Sequence, residues 1–282
     1  MCDSVTNPEF PDALGEARAG ELERPGQTAG ESFDPIIAFS HVYISFDERP
    51  VLEDVSFSVN RGQTLCILGR SGVGKSVALR LLMGFLKPDS GSIRVDGQEI
   101  TDLGEEGLRA IRERVTMVFQ NGALFDSLSV RENVAFPLRE RGGLDEDRIE
   151  EIVEGLIGQV GAEDVADAFP SSLSTGRKRA VAIARALASQ PEVVLYDEPT
   201  TMVDPIIARR MGDLIQRLKR QLGFTSIVVT HDTRFAERLA DRVLFLDQGR
   251  AIFFDSFKAL VSSLEPHILQ FLAHDGFQLP SE

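Results

Sequence analysis

Alternating apolar and polar positions begin near Ile36. They predict strands over Ile37–Ser45 and Val51–Val59, joined by a turn at Asp47–Pro50. Thr64–Leu68 is a short, wholly apolar run that ends in the segment Gly69-Arg70-Ser71-Gly72-Val73-Gly74-Lys75-Ser76. A helical pattern follows to Leu86 and stops at Lys87-Pro88-Asp89-Ser90-Gly91. Strand patterns return at Val115–Phe119, Val193–Tyr196, Thr225–Thr230 and Val243–Leu246, with helical stretches at Asp145–Val160, Ser174–Ala188 and Pro205–Leu222. Strands alternating with helices predict an α/β fold with a mainly parallel sheet covered on both faces. From about 121 to 172 strand character is sparse, which predicts a mostly helical insertion reaching to about 185.

Composition narrows the class. The chain has 282 residues, 43% of them hydrophobic and 26% charged, enough for one sizeable core. There is no apolar run of bilayer length and no basic-then-apolar start, so neither a membrane span nor a secretory signal is expected. Cys2 and Cys66 make neither a disulfide framework nor a metal cluster, and a reducing, cytoplasmic setting fits them best. With 30 basic against 44 acidic residues, the net charge of −14 argues against nucleic acid as the main partner. Eight acidic and two basic residues fall within residues 1–35, which reads as a flexible acidic tail.

The segment from Gly69 to Ser76 fits the phosphate-binding pattern Gly-x4-Gly-Lys-[Ser/Thr] and sits, as required, between a strand and a helix. Glycines let backbone N–H groups curl around phosphate oxygens, and the helix that follows turns its positive end to the same anion. Lys75 would neutralise the outer phosphates and the Ser76 hydroxyl would ligate Mg²⁺. Val193–Tyr196 runs into Asp197 and Glu198. A strand lying beside the phosphate loop would bring Asp197 to the metal and leave Glu198 to orient and deprotonate a water in line with the γ-phosphate.

At this point the sequence resembles the ATP-binding subunits of ABC transporters, from about Ile37 to the C-terminus. The resemblance implies a P-loop NTPase core, an N-terminal antiparallel β subdomain and the helical insertion. It implies ATP and Mg²⁺ as ligands, with Gly69, Arg70, Ser71, Gly72, Val73, Gly74, Lys75, Ser76 and Val77 around the phosphates. Phe46 resembles the aromatic residue that stacks on adenine, and Gln120 the glutamine that touches Mg²⁺ and water. Leu173-Ser174-Thr175-Gly176-Arg177 resembles the signature loop Leu-Ser-Gly-Gly-Gln, which would bring Ser174 and Gly176 to the ATP of a second copy. Asp204 resembles the dimer-interface aspartate and His231 the switch histidine at the γ-phosphate. Thr175 and Arg177 depart from the signature, as Met202-Val203 departs from the usual Gly-Leu before the aspartate. Ser174 is expected to cap the helix, Thr175 to sit in its first turn, and Arg177 to add positive charge near the phosphates.

A narrower resemblance is to the ATPases of Mla or MCE-associated lipid transporters. It rests on residues 119–130, on Asn133-Val134-Ala135-Phe136-Pro137-Leu138-Arg139-Glu140, and on Ile268-Leu269-Gln270-Phe271-Leu272. It implies a homodimer on the cytoplasmic face of the inner membrane, bound to an integral membrane permease and, through it, to an MCE-domain lipid-binding protein. Residues 119–140 would form an apolar groove for a permease helix. The implied domains are residues 1–35 as tail, 36–262 as the ATPase and 263–282 as an extension. The alternatives are the ATPase of another importer, for amino acids or metal chelates, a non-transport ABC ATPase, and a regulatory subunit that hydrolyses poorly.

Overall fold

The computed structural model describes residues 35–277; the expected acidic tail lies outside them, apart from Pro35. β1 (Pro35–Phe46) and β2 (Arg49–Asn60) form an antiparallel hairpin. Both strands run longer than their alternation suggested, and only Asp47 and Glu48 remain in the turn. β3 (Thr64–Leu68) leads into the phosphate-loop segment and α1 (Lys75–Leu82). The helix ends four residues before the expected Leu86. Gly84 takes a left-handed conformation (φ 65°), and a side chain there would run into Leu108.

β4 (Ser90–Val95), β5 (Gln98–Glu99) and α2 (Glu105–Arg114) follow, and none of them stood out in the sequence pattern. β6 (Val115–Val118) precedes the expected insertion, which holds α3 (Val130–Arg141) and α4 (Glu146–Val160). Then come α5 (Thr175–Ala188), β7 (Val193–Asp197), α6 (Pro205–Leu222), β8 (Thr225–Val229), α7 (Thr233–Leu239) and β9 (Arg242–Asp247). β10 (Arg250–Asp255), α8 (Phe257–Val261) and α9 (Pro266–His274) close the described chain.

Two sheets form. The antiparallel one has the order β2-β1-β4-β5, and the larger one has the order β10-β9-β3-β8-β7-β6. Every pair in the larger sheet is parallel except the β9–β10 edge. Its central strands are buried along their whole length, as expected for a sheet covered on both faces. Strand alternation divides the core in two. Leu65, Ile67, Leu195, Ile227 and Val229 face the antiparallel sheet and α1. Cys66, Leu68, Tyr196, Val228 and Phe245 face the helices of the insertion and of the C-terminal half.

β7 is not the neighbour of β3, because β8 lies between them, yet Asp197 still reaches the phosphate loop at Ser76. The consequence is useful for chemistry: the carboxyl ends of β3, β7 and β8 open side by side, so three chain segments meet at one edge of the sheet. The described part of the expected extension, residues 263–277, packs on the core. Ile268, Phe271 and Leu272 are buried, and the Phe271 ring stands edge-on to Phe245 at 5.0 Å.

Candidate active site

The phosphate loop follows from its glycines. Gly74 has φ 101°, and a Cβ there would lie 2.8 Å from the Val51 carbonyl oxygen and against Leu52. At Gly69 (φ 150°) an added Cβ would fall on the Leu246 carbonyl. Larger residues at either position would push the loop off β2 and β9. No side chain caps the first turn of α1, so its N–H groups are left to an incoming anion.

Lys75 is buried, and its Nζ donates to the carbonyls of Gly69 (2.9 Å) and Arg70 (3.0 Å). The loop thus holds the ammonium that it wraps. The same Nζ lies 3.3 Å from Glu198 Oε1. Next to it, the Ser76 hydroxyl donates to Asp197 Oδ1 at 2.6 Å. A hydroxyl and a carboxylate side by side are hard oxygen donors that suit Mg²⁺ shared with phosphate oxygens.

Glu198 follows directly after β7 with φ 48°, uncommon for a residue with a side chain, and its N–H donates to the Val229 carbonyl at 2.9 Å. Its Oε2 meets His231 Nδ1 at 2.8 Å and accepts from the Thr201 hydroxyl at 3.4 Å. Burial works to raise the Glu198 pKa, but the His231 hydrogen bond and the Lys75 charge outweigh it, and the net shift is downward. His231 shifts up, because Glu198 stabilises its protonated form more than partial burial opposes it. Asp197 shifts up, chiefly through burial and secondarily through Glu198, with Ser76 pulling the other way.

A cavity of about 300 Å³ gathers Ser71, Gly72, Gly74, Lys75, Ser76, Val77, Gln120, Glu198 and His231, all of them expected site residues. Gly69 and Arg70 join through their bonds to Lys75, and Asp197 through Ser76. Val73 packs into the core beneath the loop. Phe46 is 43% exposed where the β1–β2 hairpin turns, on the strand pair that carries Val51 to the cavity rim.

Besides Phe46, which does not line this cavity, three expected residues are not brought to it within one chain. Ser174 and Gly176 line a different cavity of about 650 Å³ between α5 and α6. Ser174 caps α5 as expected, with Thr175 as its first residue. Asp204 caps α6, accepting from the N–H groups of Ile206 (2.9 Å) and Ile207 (3.0 Å). The Arg177 guanidinium donates to both carboxylate oxygens of Asp164 at 2.8 and 2.9 Å, so within one chain its charge is matched by the insertion.

Sequence reasoning missed Arg179. It is buried on α5 and donates to the carbonyls of Pro199 and Thr201, tying that helix to the loop that carries Glu198. The available signal was an arginine on the apolar face of a helix. Val51 and Thr201, which also line the phosphate cavity, carry no such signal.

A sequence profile described as ABC transporter matches residues 52–201, which run from β2 past Glu198. The methionine import ATP-binding protein MetN of Brucella abortus is 41% identical over 228 residues, covering 81% of this chain and 60% of that protein. The MetN of Rhizobium etli is 40% identical over 235 residues, covering 83% of this chain and 64% of that one. The chain therefore spans roughly three fifths of the length of these curated relatives. Among solved structures, cbiO1 of Clostridium perfringens, part of the ABC transporter complex cbiONQ, superposes with a TM-score of 0.76 at 31% identity. That match covers 86% of this chain and 95% of that one. A dimeric ATP-binding cassette, MJ0796, in a post-hydrolysis state bound to ADP and Pi, superposes with a TM-score of 0.72 at 29% identity, covering 78% and 98% of the two chains. The phosphate loop, the order of its sheets and these likenesses agree: the chain belongs to the ABC transporter family of ATPases, whose ligands are ATP and Mg²⁺.

Proposed function

We propose that this chain is the ATP-hydrolysing subunit of an ABC transporter and that it acts as a pair of identical copies beneath a membrane permease. The observation that carries this is the Glu198 carboxylate, held between His231 and Lys75 at the mouth of the phosphate loop. Phosphate entering the cavity competes with Glu198 for the Lys75 ammonium. The carboxylate, kept ionised by its neighbours, then accepts a hydrogen bond from water and takes its proton as the water attacks the γ-phosphorus in line, while the bond from that phosphorus to the β–γ bridging oxygen breaks and ADP leaves with its electron pair. His231, on the outer side of Glu198, aligns that carboxylate and offers its other ring nitrogen to the phosphate. Ser76 and Asp197 would hold Mg²⁺, which offsets negative charge on the phosphates. Gln120, on the cavity wall, would touch Mg²⁺ and water and couple the site to the permease-facing segment that follows it.

Pairing is supported by what one chain lacks. Ser174 and Gly176 line a cavity separate from the chain's own phosphate cavity, Asp204 is taken up in capping α6, and the dimeric MJ0796 is a structural relative. A facing copy would present the N–H groups of the α5 first turn to the nucleotide.

Permease docking is supported by an apolar groove of about 590 Å³ after β6. Phe125 and Phe136 lie 4.7 Å apart in it, both exposed, and Arg185 stacks over Phe125 at 5.6 Å. Aromatic anchors with an arginine rim suit an amphipathic helix. Among the described residues no helix is long and apolar enough to cross a membrane. Attachment through the groove would therefore place the chain peripherally on the cytoplasmic face.

The cargo has two readings. Phospholipid, with an MCE-domain partner, is favoured by the resemblance over residues 119–140 and 268–272. Import of a small amino acid is favoured by the names of the curated relatives. Mild solubilisation of membranes carrying a tagged chain, followed by identification of what copurifies, tests both. A permease with a lipid-binding MCE protein supports the first reading, a solute-binding importer supports the second, and no permease at all removes the transport role.

A further inference from the structure

The loop that presents His231 is short. It runs from Thr230 after β8 to Thr233, the first residue of α7. Within it the Asp232 N–H donates to the Thr230 hydroxyl (3.1 Å), and the Asp232 carboxylate accepts from the Phe235 N–H (2.9 Å). The N–H of Thr233 belongs to the helix's first turn and has no intrahelical partner. Its acceptor comes from 42 residues further on. Asp275 Oδ2 accepts the Thr233 N–H at 2.8 Å and also accepts the Thr233 hydroxyl. Thr233 is wholly buried, so this carboxylate reaches a point that water does not.

Asp275 is exposed, but the helix before it is anchored. Asp275 follows the last turn of α9, its N–H donates to the Phe271 carbonyl, and α9 is anchored by Ile268, Phe271 and Leu272 in the core. A chain of fixed contacts thus runs from the C-terminal helix to the histidine loop. Building on the proposed role of His231, we infer that Asp275 is a positioning residue, which fixes the start of α7 and so sets where His231 stands over the phosphate cavity.

The charge of Asp275 acts in the same direction. The groups facing His231 are Glu198 from the end of β7, Lys75 from α1 and Asp275 from the end of α9. Glu198 and Asp275 favour the protonated imidazole, while Lys75 and burial oppose it. Removing Asp275 therefore loosens the loop and lowers the pH at which His231 loses its proton.

The test compares Asp275→Ala and Asp275→Asn in the full chain, each with and without His231→Ala, by Mg-ATP turnover across pH and by ATP affinity. Asp275→Ala should lower kcat about fivefold with KM changed less than about twofold, and should move the histidine limb of the pH profile to lower pH. Asp275→Asn keeps an acceptor for Thr233, so it should retain more of kcat yet show the same displaced limb. In the His231→Ala chain, Asp275→Ala should cost nothing further. An equal loss in both backgrounds, or no loss where His231→Ala alone is slow, overturns the positioning role. A His231→Ala chain at full rate overturns the reading of the site itself, and the inference with it.

Discussion

Glu198 and His231 are 33 residues apart in sequence, yet Oε2 and Nδ1 lie 2.8 Å apart because β7 and β8 are parallel neighbours that end together. Each shifts the other's titration. Glu198 is held below its ordinary range and His231 above its own, so each favours the charged form of the other.

The stability consequence has a definite sign. His231, raised above 6.5, contributes stability that is fully present below that value and is lost as pH rises through its folded pKa. Glu198, lowered below 4.5, contributes above that value and loses its contribution as pH falls through its folded pKa. Urea midpoints of wild type and His231→Ala should therefore differ most between the two ordinary values, about pH 4.5 to 6.5, and converge as pH rises above that window. A gap that widens with rising pH would show the histidine to be neutral in the fold.

Much of this site is legible in the sequence, for a physical reason. A phosphate loop must be glycine-rich and must lie between strand and helix, so local pattern suffices to find Gly69–Ser76. The central strands are equally plain, because burial on both faces makes them apolar throughout. β4 and the edge strands β5 and β10 are not legible, since half-exposed positions blur their alternation. Sheet order was not legible either. Local pattern does not say that β8 separates β3 from β7, which is what brings His231 beside Glu198. Long-range polar ties such as Arg179 to Pro199, or Arg177 to Asp164, join segments whose proximity exists only in the folded chain.

Glu198→Gln keeps the side-chain shape and removes the proton acceptor. Turnover should fall roughly 10²-fold or more while ATP affinity is retained. Lys75→Ala should weaken ATP binding as well, because the ammonium held by the Gly69 and Arg70 carbonyls acts on the bound ground state too. Steady-state turnover together with equilibrium nucleotide binding separates the two. Wild-type turnover in Glu198→Gln would remove it from the catalytic role.

Arg179→Ala strips the donor from two carbonyls in the loop after Glu198 and leaves a hole in α5. An unsatisfied buried carbonyl costs about 1–3 kcal/mol, so the melting temperature should drop measurably. Arg179→Lys should recover little of it, since one ammonium does not span the fork that the guanidinium makes between Pro199 and Thr201. Thermal melts of the three chains decide this. Equal midpoints for wild type and Arg179→Ala would mean that the loop finds other donors.

The altered signature gives the last prediction. Ser174 caps α5 through the Arg177 N–H, and Thr175 follows in ordinary helical geometry, where a side chain fits and no left-handed glycine is required. The N–H donors of the first turn therefore survive both departures from the family pattern. Gly176 is tighter, because a Cβ there would come within 3.2 Å of Ile207 Cγ2. The Arg177 charge adds little to a facing nucleotide while Asp164 holds it. What remains is the bulk of Thr175 on the face offered to a second copy. Thr175→Gly should raise turnover a few-fold, on the order of 1 kcal/mol or less in the barrier. Ser174→Arg should nearly abolish turnover by filling the space between the copies, with ATP binding to the single chain intact. Assays at saturating Mg-ATP, paired with nucleotide binding at low protein concentration, distinguish these effects. A Ser174→Arg chain that still turns over at the wild-type rate would mean that α5 does not complete the neighbouring site.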